Sequence, residues 1–291
     1  RHPLALGDGW GRMDSYDDLL NEADLVLVVG SRLDVVSDVD TGARFPERIV
    51  QIDIDPLVIA QRRPVELGIV GDARSILDAI AAGLDNSDRS CWFDVEAFRA
   101  HKRSYLEQRC PTTLAVIDDL RAALPDEAIV VDDLTNVSYW MPIAFDTYLP
   151  RTLIHPGTYG TLGYSLPAAI GAKLACPGQP VVSLSGDGGF MFTLQELSTA
   201  RAENLDLIAI VFNDNAYGAI STFQSRVMGN RQIGSYLVNP DFVKLGEAFG
   251  ANSVRIGADE IGATVQQALE QGGLWLIEVP FNPTDESRLV P

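Results

Sequence analysis

Residues 180–218 read PVVSLSGDGGFMFTLQELSTARAENLDLIAIVFNDNAYG. An apolar run, Pro180–Leu184, breaks into Ser185-Gly186-Asp187-Gly188-Gly189, and a helix is expected over 193–203. A second apolar run, Leu207–Phe212, breaks into Asn213-Asp214-Asn215-Ala216-Tyr217-Gly218. Short apolar runs separated by a helix suit parallel strands covered on both faces. Ligands of open α/β sheets bind outside the carboxyl ends of the strands. Asp187 and Asp214 are therefore expected side by side at one strand-end crevice. Glycines at 186, 188 and 189 let the backbone approach a phosphate closely, and the helix that follows adds partial positive charge at its N-terminus. Two hard oxygen ligands beside a phosphate cradle point to Mg²⁺ or Ca²⁺ bridging a diphosphate. Neither loop carries Lys or Arg, so neutralisation falls to the metal and to backbone N–H groups.

The same alternation extends outward in both directions. Towards the C-terminus come helices over 241–249 and 260–271 and the strand Trp275–Val279. Upstream lie a helix over 113–123, the strand Ala128–Asp132, a helix near 135–144, a Gly-rich turn at 155–163 and a helix over 164–175. Residues 84–110 are polar and then helical, which reads as a linker. Before them, Asp14 is expected to cap a helix, and Ala23–Gly30, Arg48–Asp55 and Leu67–Val70 read as strands. A helix over Ala73–Ala82, stopped by Gly83, closes this unit. The expected class is α/β, with parallel doubly wound sheets in two parts of unequal completeness.

Composition narrows the functional classes. The 291 residues carry 22 Lys and Arg against 40 Asp and Glu, a net charge of −18. Phosphate backbones and anionic membrane surfaces are repelled by such a field. No apolar run approaches the ~20 residues of a membrane span, and no signal-peptide pattern opens the chain. The three cysteines, Cys91, Cys110 and Cys176, are odd in number and never spaced C-x-x-C. They argue against a disulfide framework or a zinc site and suit a reducing cytoplasm. The sequence starts at Arg1 in what reads as a loop within a domain, so a piece of a longer protein is expected.

The G-D-G and N-D-N elements together resemble the signature of thiamine-diphosphate-dependent enzymes of the acetolactate synthase, pyruvate oxidase and benzoylformate decarboxylase type. Gly160-Thr161-Leu162-Gly163-Tyr164-Ser165-Leu166-Pro167-Ala168-Ala169-Ile170-Gly171-Ala172 is similar to the family's Gly-rich turn. Asp53-Ile54-Asp55-Pro56 and Val70-Gly71-Asp72-Ala73 look like landmarks of its central domain. The resemblance implies the C-terminal part of a Rossmann-like central domain over 1–85, a linker over 86–110 and the thiamine-diphosphate-binding fold over 111–291. It implies Asp187, Asp214 and the Ala216 carbonyl as Mg²⁺ ligands, and Gly186, Gly188, Gly189, Tyr217 and Gly218 around the diphosphate. Leu162 stands where the family places an apolar wedge beneath the bent cofactor. The Gly160 carbonyl and the Leu162 N–H would bond its aminopyrimidine edge, and Asn136 and Ser138 are further contacts.

The reaction the resemblance implies is decarboxylation of a 2-oxo acid at the cofactor, followed by protonation or transfer to an acceptor carbonyl. The family's activating Glu lies on a pyrimidine-binding domain that this sequence does not contain. That domain is expected in cis or on another subunit, with homo-oligomeric assembly and little activity in its absence. Glu196 sits inside the helix after the metal loop, which does not suit that role. Phe223 occupies the place of a Trp usual in acetolactate synthases, which leaves a simple 2-oxo acid decarboxylase as an alternative. Some relatives hold FAD in the central domain, but Gly30-Ser31-Arg32 lacks a G-x-G-x-x-G pattern and reads as a plain turn. An NAD-linked oxidoreductase would need a dinucleotide at that same turn. A non-catalytic cofactor-binding module is the rival from another class. Asp53 and Asp55 read as turn formers over ribose binders, His155 as structural or solvent-facing over a substrate contact, and Tyr139 and Trp140 as core or interface aromatics. For the tail 281–291 a disordered end is the default reading, while the resemblance implies a segment that folds over the active site.

Overall fold

A computed structural model describes residues 2–9, 13–33, 45–85, 91–283 and 286. The chain divides into two compact units, Pro3–Arg99 and Ala100–Pro291, the latter with the first two residues.

In the first unit, α1 (Asp14–Glu22), β1 (Val26–Val29), β2 (Ile49–Asp53), β3 (Leu67–Val70) and α2 (Ala73–Gly83) follow in order. The strands form one parallel sheet in the order β1-β2-β3, with Val26 opposite Ile49 and Val50 opposite Leu67. Met13, not Asp14, is the N-cap of α1. Asp72 caps α2 by accepting from Ser75 N at 2.9 Å, and Gly83 is the last helical residue rather than the stop. Val28, Leu33 and Ile49 make a small core. The expectation of strands covered on both faces fails here. Leu27 is 43% exposed while its neighbour Val28 is buried, and Leu67 and Val70 are more than half exposed. Three strands and their described helices do not suffice to cover both faces. Asp53 and Asp55 are turn formers: Asp53 Oδ1 accepts from Asp55 N and Asp55 Oδ1 from Leu57 N, each at 2.9 Å. Gly30 turns the chain at φ +61°, its N–H donating to Ile52 O.

Helix α3 (Val95–Arg109) carries the chain across the division into the second unit. There follow α4 (Pro111–Ala123), β4 (Ile129–Asp132), α5 (Met141–Ala144), β5 (Leu153–Ile154), α6 (Ser165–Ala175) and β6 (Val181–Gly186). Next come α7 (Asp187–Thr193), α8 (Leu197–Ala202), β7 (Leu207–Asn213), α9 (Gly218–Arg226), α10 (Phe242–Ala248), β8 (Asn252–Arg255), α11 (Ile261–Gln271) and β9 (Leu274–Pro280). Six parallel strands form one sheet in the order β5-β4-β6-β7-β9-β8. Along β4, β6, β7 and β9 nearly every residue is buried. Val131, Val181, Ala209 and Leu276 join a core with Leu166 and Ile170 of α6, Leu197 of α8 and Phe242 of α10. Their alternates Val130, Val182, Ile210 and Ile277 are fully buried as well. Alternate residues point to opposite faces of a strand, so both faces are covered, and this is why these strands read as unbroken apolar runs.

Five elements of this unit differ from expectation. The helix near 135–144 contracts to α5, because Thr135 Oγ1 accepts from Val137 N and Ser138 N and holds the preceding residues in turns. In place of one helix over 193–203 stand α7, which begins at Asp187, a 3₁₀ turn over Leu194–Glu196, and α8. The short edge strands β5 and β8, and helix α9, carry too weak an apolar pattern to be read in advance. Among the described residues no helix is long and apolar enough to cross a membrane, and the three cysteines are free thiols.

Candidate active site

From β4 the chain runs outward to β5, while β6 lies on the other side of β4. The direction of winding therefore reverses between β4 and β6, where doubly wound sheets open a crevice at their carboxyl ends. A cleft of about 240 Å³ lies at that end. Leu134, Thr135 and Asn136 line it after β4, Gly160 and Leu162 after β5, Gly186 to Gly189 after β6, and Asp214 with Ala216 to Ile220 after β7. Of the residues singled out from the sequence, Asn136, Gly160, Leu162, Gly186, Asp187, Gly188, Gly189, Asp214, Ala216, Tyr217 and Gly218 all meet there. Ser138 does not. It is fully buried, and its hydroxyl approaches the Asp132 carboxylate instead.

The two carboxylates belong to adjoining strand ends. Gly186, in extended backbone, caps α7, so Asp187 is the first helical residue and is 2% exposed. Asp214 follows β7 directly. Asn213 Oδ1 accepts from Asn215 N at 3.1 Å, and Asn215 adopts the left-handed region at φ +56°. This bend carries Ala216 back so that its N–H donates to Asp214 Oδ1 at 3.1 Å. The loop is pinned by Tyr217 N donating to Ser235 O and Leu237 N donating to Asn215 O, each at 2.8 Å. At Gly218 a β-carbon would stand 2.1 Å from Asp214 Oδ2 and 2.7 Å from Asn136 Nδ2. Only glycine lets α9 start this close to the carboxylate.

Burial and the charge of Asp187 push the Asp214 carboxyl up to about 7. Asp187 is also raised by burial, opposed by the Asn239 amide and by backbone N–H groups of Gly188, Ala216 and Asn215. A buried and a half-buried carboxylate acting on one another ask for a proton or a cation between them. Among the described residues no group of three or more His, Cys, Asp or Glu could hold a metal. The donor set is two carboxylates beside backbone and open space. That fits Mg²⁺, which takes one or two carboxylates and completes its shell with phosphate and water, better than a transition metal.

Asp133 is an organising residue that the sequence reading missed. Its carboxylate is fully buried and accepts from Leu134 N (2.8 Å), Gly163 N (2.7 Å) and Tyr164 N (3.2 Å). It thus ties the Gly-rich turn to the end of β4, and burial raises its carboxyl against these bonds. Gly163, at φ +78°, leaves no room for a β-carbon against Phe192 of α7, which would lie 2.8 Å away. Leu162 is held at the cleft by this arrangement.

The remaining sequence candidates lie elsewhere. Glu196 stands in a 3₁₀ turn outside the cleft and accepts from Thr199 Oγ1 at 2.8 Å. His155 Nδ1 pairs with Asp132 Oδ1 at 2.7 Å, and burial raises Asp132 against the effect of that histidine. Trp140 is a core residue whose Nε1 donates to Glu286 O, whereas Tyr139 lines the cleft. Phe223 is on α9, 39% exposed. The start of the tail departs from a disordered end: Phe281 and Pro283 line the cleft. Further on, the Glu286 carboxylate accepts from Thr112 N and Thr113 N at the head of α4. Residues 284–285 and 287–291 lie outside the described residues.

Fold and cleft together define an α/β domain with two neighbouring acidic side chains in a cleft at a topological switch point. Residues 133–279 match the family model described as "Thiamine pyrophosphate enzyme, C-terminal TPP binding domain", and residues 1–80 match that of the central domain of the same enzymes. The chain belongs to the thiamine pyrophosphate enzyme family. It is 36% identical over 288 residues to a probable 2-ketoarginine decarboxylase of Pseudomonas aeruginosa, covering 95% of this chain and 49% of that one. It is 32% identical over 310 residues to a probable acetolactate synthase large subunit of Methanocaldococcus jannaschii, covering 100% and 52%. An acetolactate synthase large subunit of Corynebacterium glutamicum is 35% identical over 271 residues, covering 86% and 43%. The chain thus spans about half the length of the curated relatives it matches.

Proposed function

We propose that this chain supplies the diphosphate-anchoring half of a thiamine-diphosphate- and Mg²⁺-dependent active site that acts on 2-oxo acids. The observation that carries the reading is a pair of carboxylates, buried Asp187 and half-buried Asp214, lining a glycine-rich cleft. Asp187, Asp214 and the Ala216 carbonyl would hold the cation. Gly186, Gly188, Gly189, Tyr217 and Gly218 would surround the diphosphate, and Gly160, Leu162 and Asn136 would orient the rest of the cofactor. When bound, thiamine diphosphate supplies the electron sink for loss of carbon dioxide, and the protein's part is orientation and electrostatics. Asp133 fixes the turn that carries Leu162 to the end of β4. Phe281 and Pro283 present apolar surface that excludes water from one side. The pyrimidine-binding portion would come from the same polypeptide or another subunit, in a homo-oligomer within the cytoplasm.

Acetolactate-synthase-like carboligation is the leading reaction, supported by several relatives of that name. Simple decarboxylation is the second reading, supported by the likeness to a 2-ketoarginine decarboxylase and by Phe223 on α9. The complete protein should be assayed against a panel of 2-oxo acids with carbon dioxide and acyloin both measured. Acyloin in proportion to carbon dioxide supports carboligation, and carbon dioxide with aldehyde supports decarboxylation. Turnover of none, with cofactor bound, would leave only a binding module.

A further inference from the structure

Glu278 is a charged residue inside an otherwise apolar strand, LWLIEVP in β9, with its side chain 3% exposed. Burying a carboxylate costs free energy that an apolar residue at this position would not incur. Its partners account for it. Arg255 Nε of β8 donates to Glu278 Oε2 at 2.9 Å, and Arg255 also reaches Asp241 at 3.5 Å. Asn213 Nδ2, at the end of β7, donates to Glu278 Oε1 at 2.8 Å. A carboxylate can only accept hydrogen bonds, so it dictates which way the Asn213 amide faces. The Asn213 oxygen is thereby turned to the loop, where it accepts from Asn215 N at 3.1 Å and from Asn239 Nδ2 at 3.0 Å. The same Asn239 nitrogen donates to Asp187 Oδ2 at 2.6 Å. A directed relay thus runs from Arg255 through Glu278, Asn213 and Asn239 to Asp187, crossing three adjacent strands.

We propose that Glu278 is a positioning residue for the metal site: it fixes the Asn213 and Asn239 amides and through them the Asp187 carboxylate. This rests on the proposed role of Asp187 as a cation ligand. Outer hydrogen-bond partners of metal ligands typically change metal affinity by about 10- to 100-fold when removed. A glutamine at 278 must offer an N–H to either Arg255 or Asn213, both of which are donors, so one end of the relay has to turn over.

The test is Mn²⁺ binding to the intact protein, read by the paramagnetic resonance of the free ion, with Mn²⁺ alone as the probe. Glu278→Gln and Asn239→Ala are each expected to weaken binding about 10- to 100-fold. The double variant is expected to bind no more weakly than the weaker single one, because both act along one line. Unchanged affinity in Glu278→Gln, or losses that simply add in the double variant, would overturn the proposal. Should Glu278→Gln fail to fold, Asn239→Ala decides alone, since it lies on a loop, and wild-type affinity there refutes the relay. Asp187→Asn separates the two readings. If it binds Mn²⁺ like the wild type, the site assignment itself fails and this inference falls with it.

Discussion

Replacing Gly218 with alanine probes the metal loop with a single methyl group. The added carbon would lie 2.1 Å from Asp214 Oδ2 and 2.7 Å from Asn136 Nδ2, more than 1 Å inside ordinary contact for the carboxylate. Gly218 is the first residue of α9, where alanine is a better helix former by roughly 1 kcal/mol. Without metal, Asp214 can swing aside, so the melting temperature in chelator should barely change. With metal, the carboxylate must return to within ~0.2 Å of its ligating position. Overpacking of this kind costs about 1–3 kcal/mol, which corresponds to a loss of about 5- to 150-fold in cation affinity. Calorimetric titration of Mg²⁺ in the presence of thiamine diphosphate measures this directly. Affinity within twofold of the wild type would refute the close packing of α9 on the metal loop.

Three further outcomes follow from the same geometry. Asp214 is raised to about 7, so in the metal-free protein its contribution to stability is complete below about pH 4 and is lost as the pH climbs through 7. Melting in chelator should therefore fall between about pH 4 and 7 and level above that. Cation affinity should rise by about tenfold per pH unit up to 7 and then level, since the ligand must shed a proton; Asp214→Asn should abolish that slope. Asp133→Ala removes the acceptor for Leu134, Gly163 and Tyr164 N–H groups. At about 1–3 kcal/mol for each buried donor left unpaired, a loss of about 3 kcal/mol or more is expected in urea unfolding. A loss under about 1 kcal/mol would mean these donors find other partners.

The parts legible in the sequence are those with a short-range physical signature. β6, β7 and β9 are covered on both faces, so they stand out as unbroken apolar runs. Asp187 and Asp214 stand at the ends of two such runs, and parallel pairing alone brings them together. The helix at Asp187 was hidden by Gly188 and Gly189, poor helix formers accepted here because the Tyr217 ring and the Asp133 carboxylate come within 3.0 Å of where their β-carbons would be. Asp133, Asn239 and Glu278 were not legible because their roles depend on partners 26 to 65 residues away. Nothing local to LIEVP shows that Glu278 faces Asn213. In the first unit the half-exposed β3 kept its apolar run, so the sequence suggested two covered faces where the described residues cover fewer.

The measurement that bears most directly on the central claim is a calorimetric titration of the intact protein with thiamine diphosphate, with Mg²⁺ and then in chelator, repeated for Asp187→Asn. The account expects binding that depends on the divalent ion and is lost or weakened at least tenfold in the variant. Equal binding with and without Mg²⁺, or an unaltered isotherm in the variant, would contradict it.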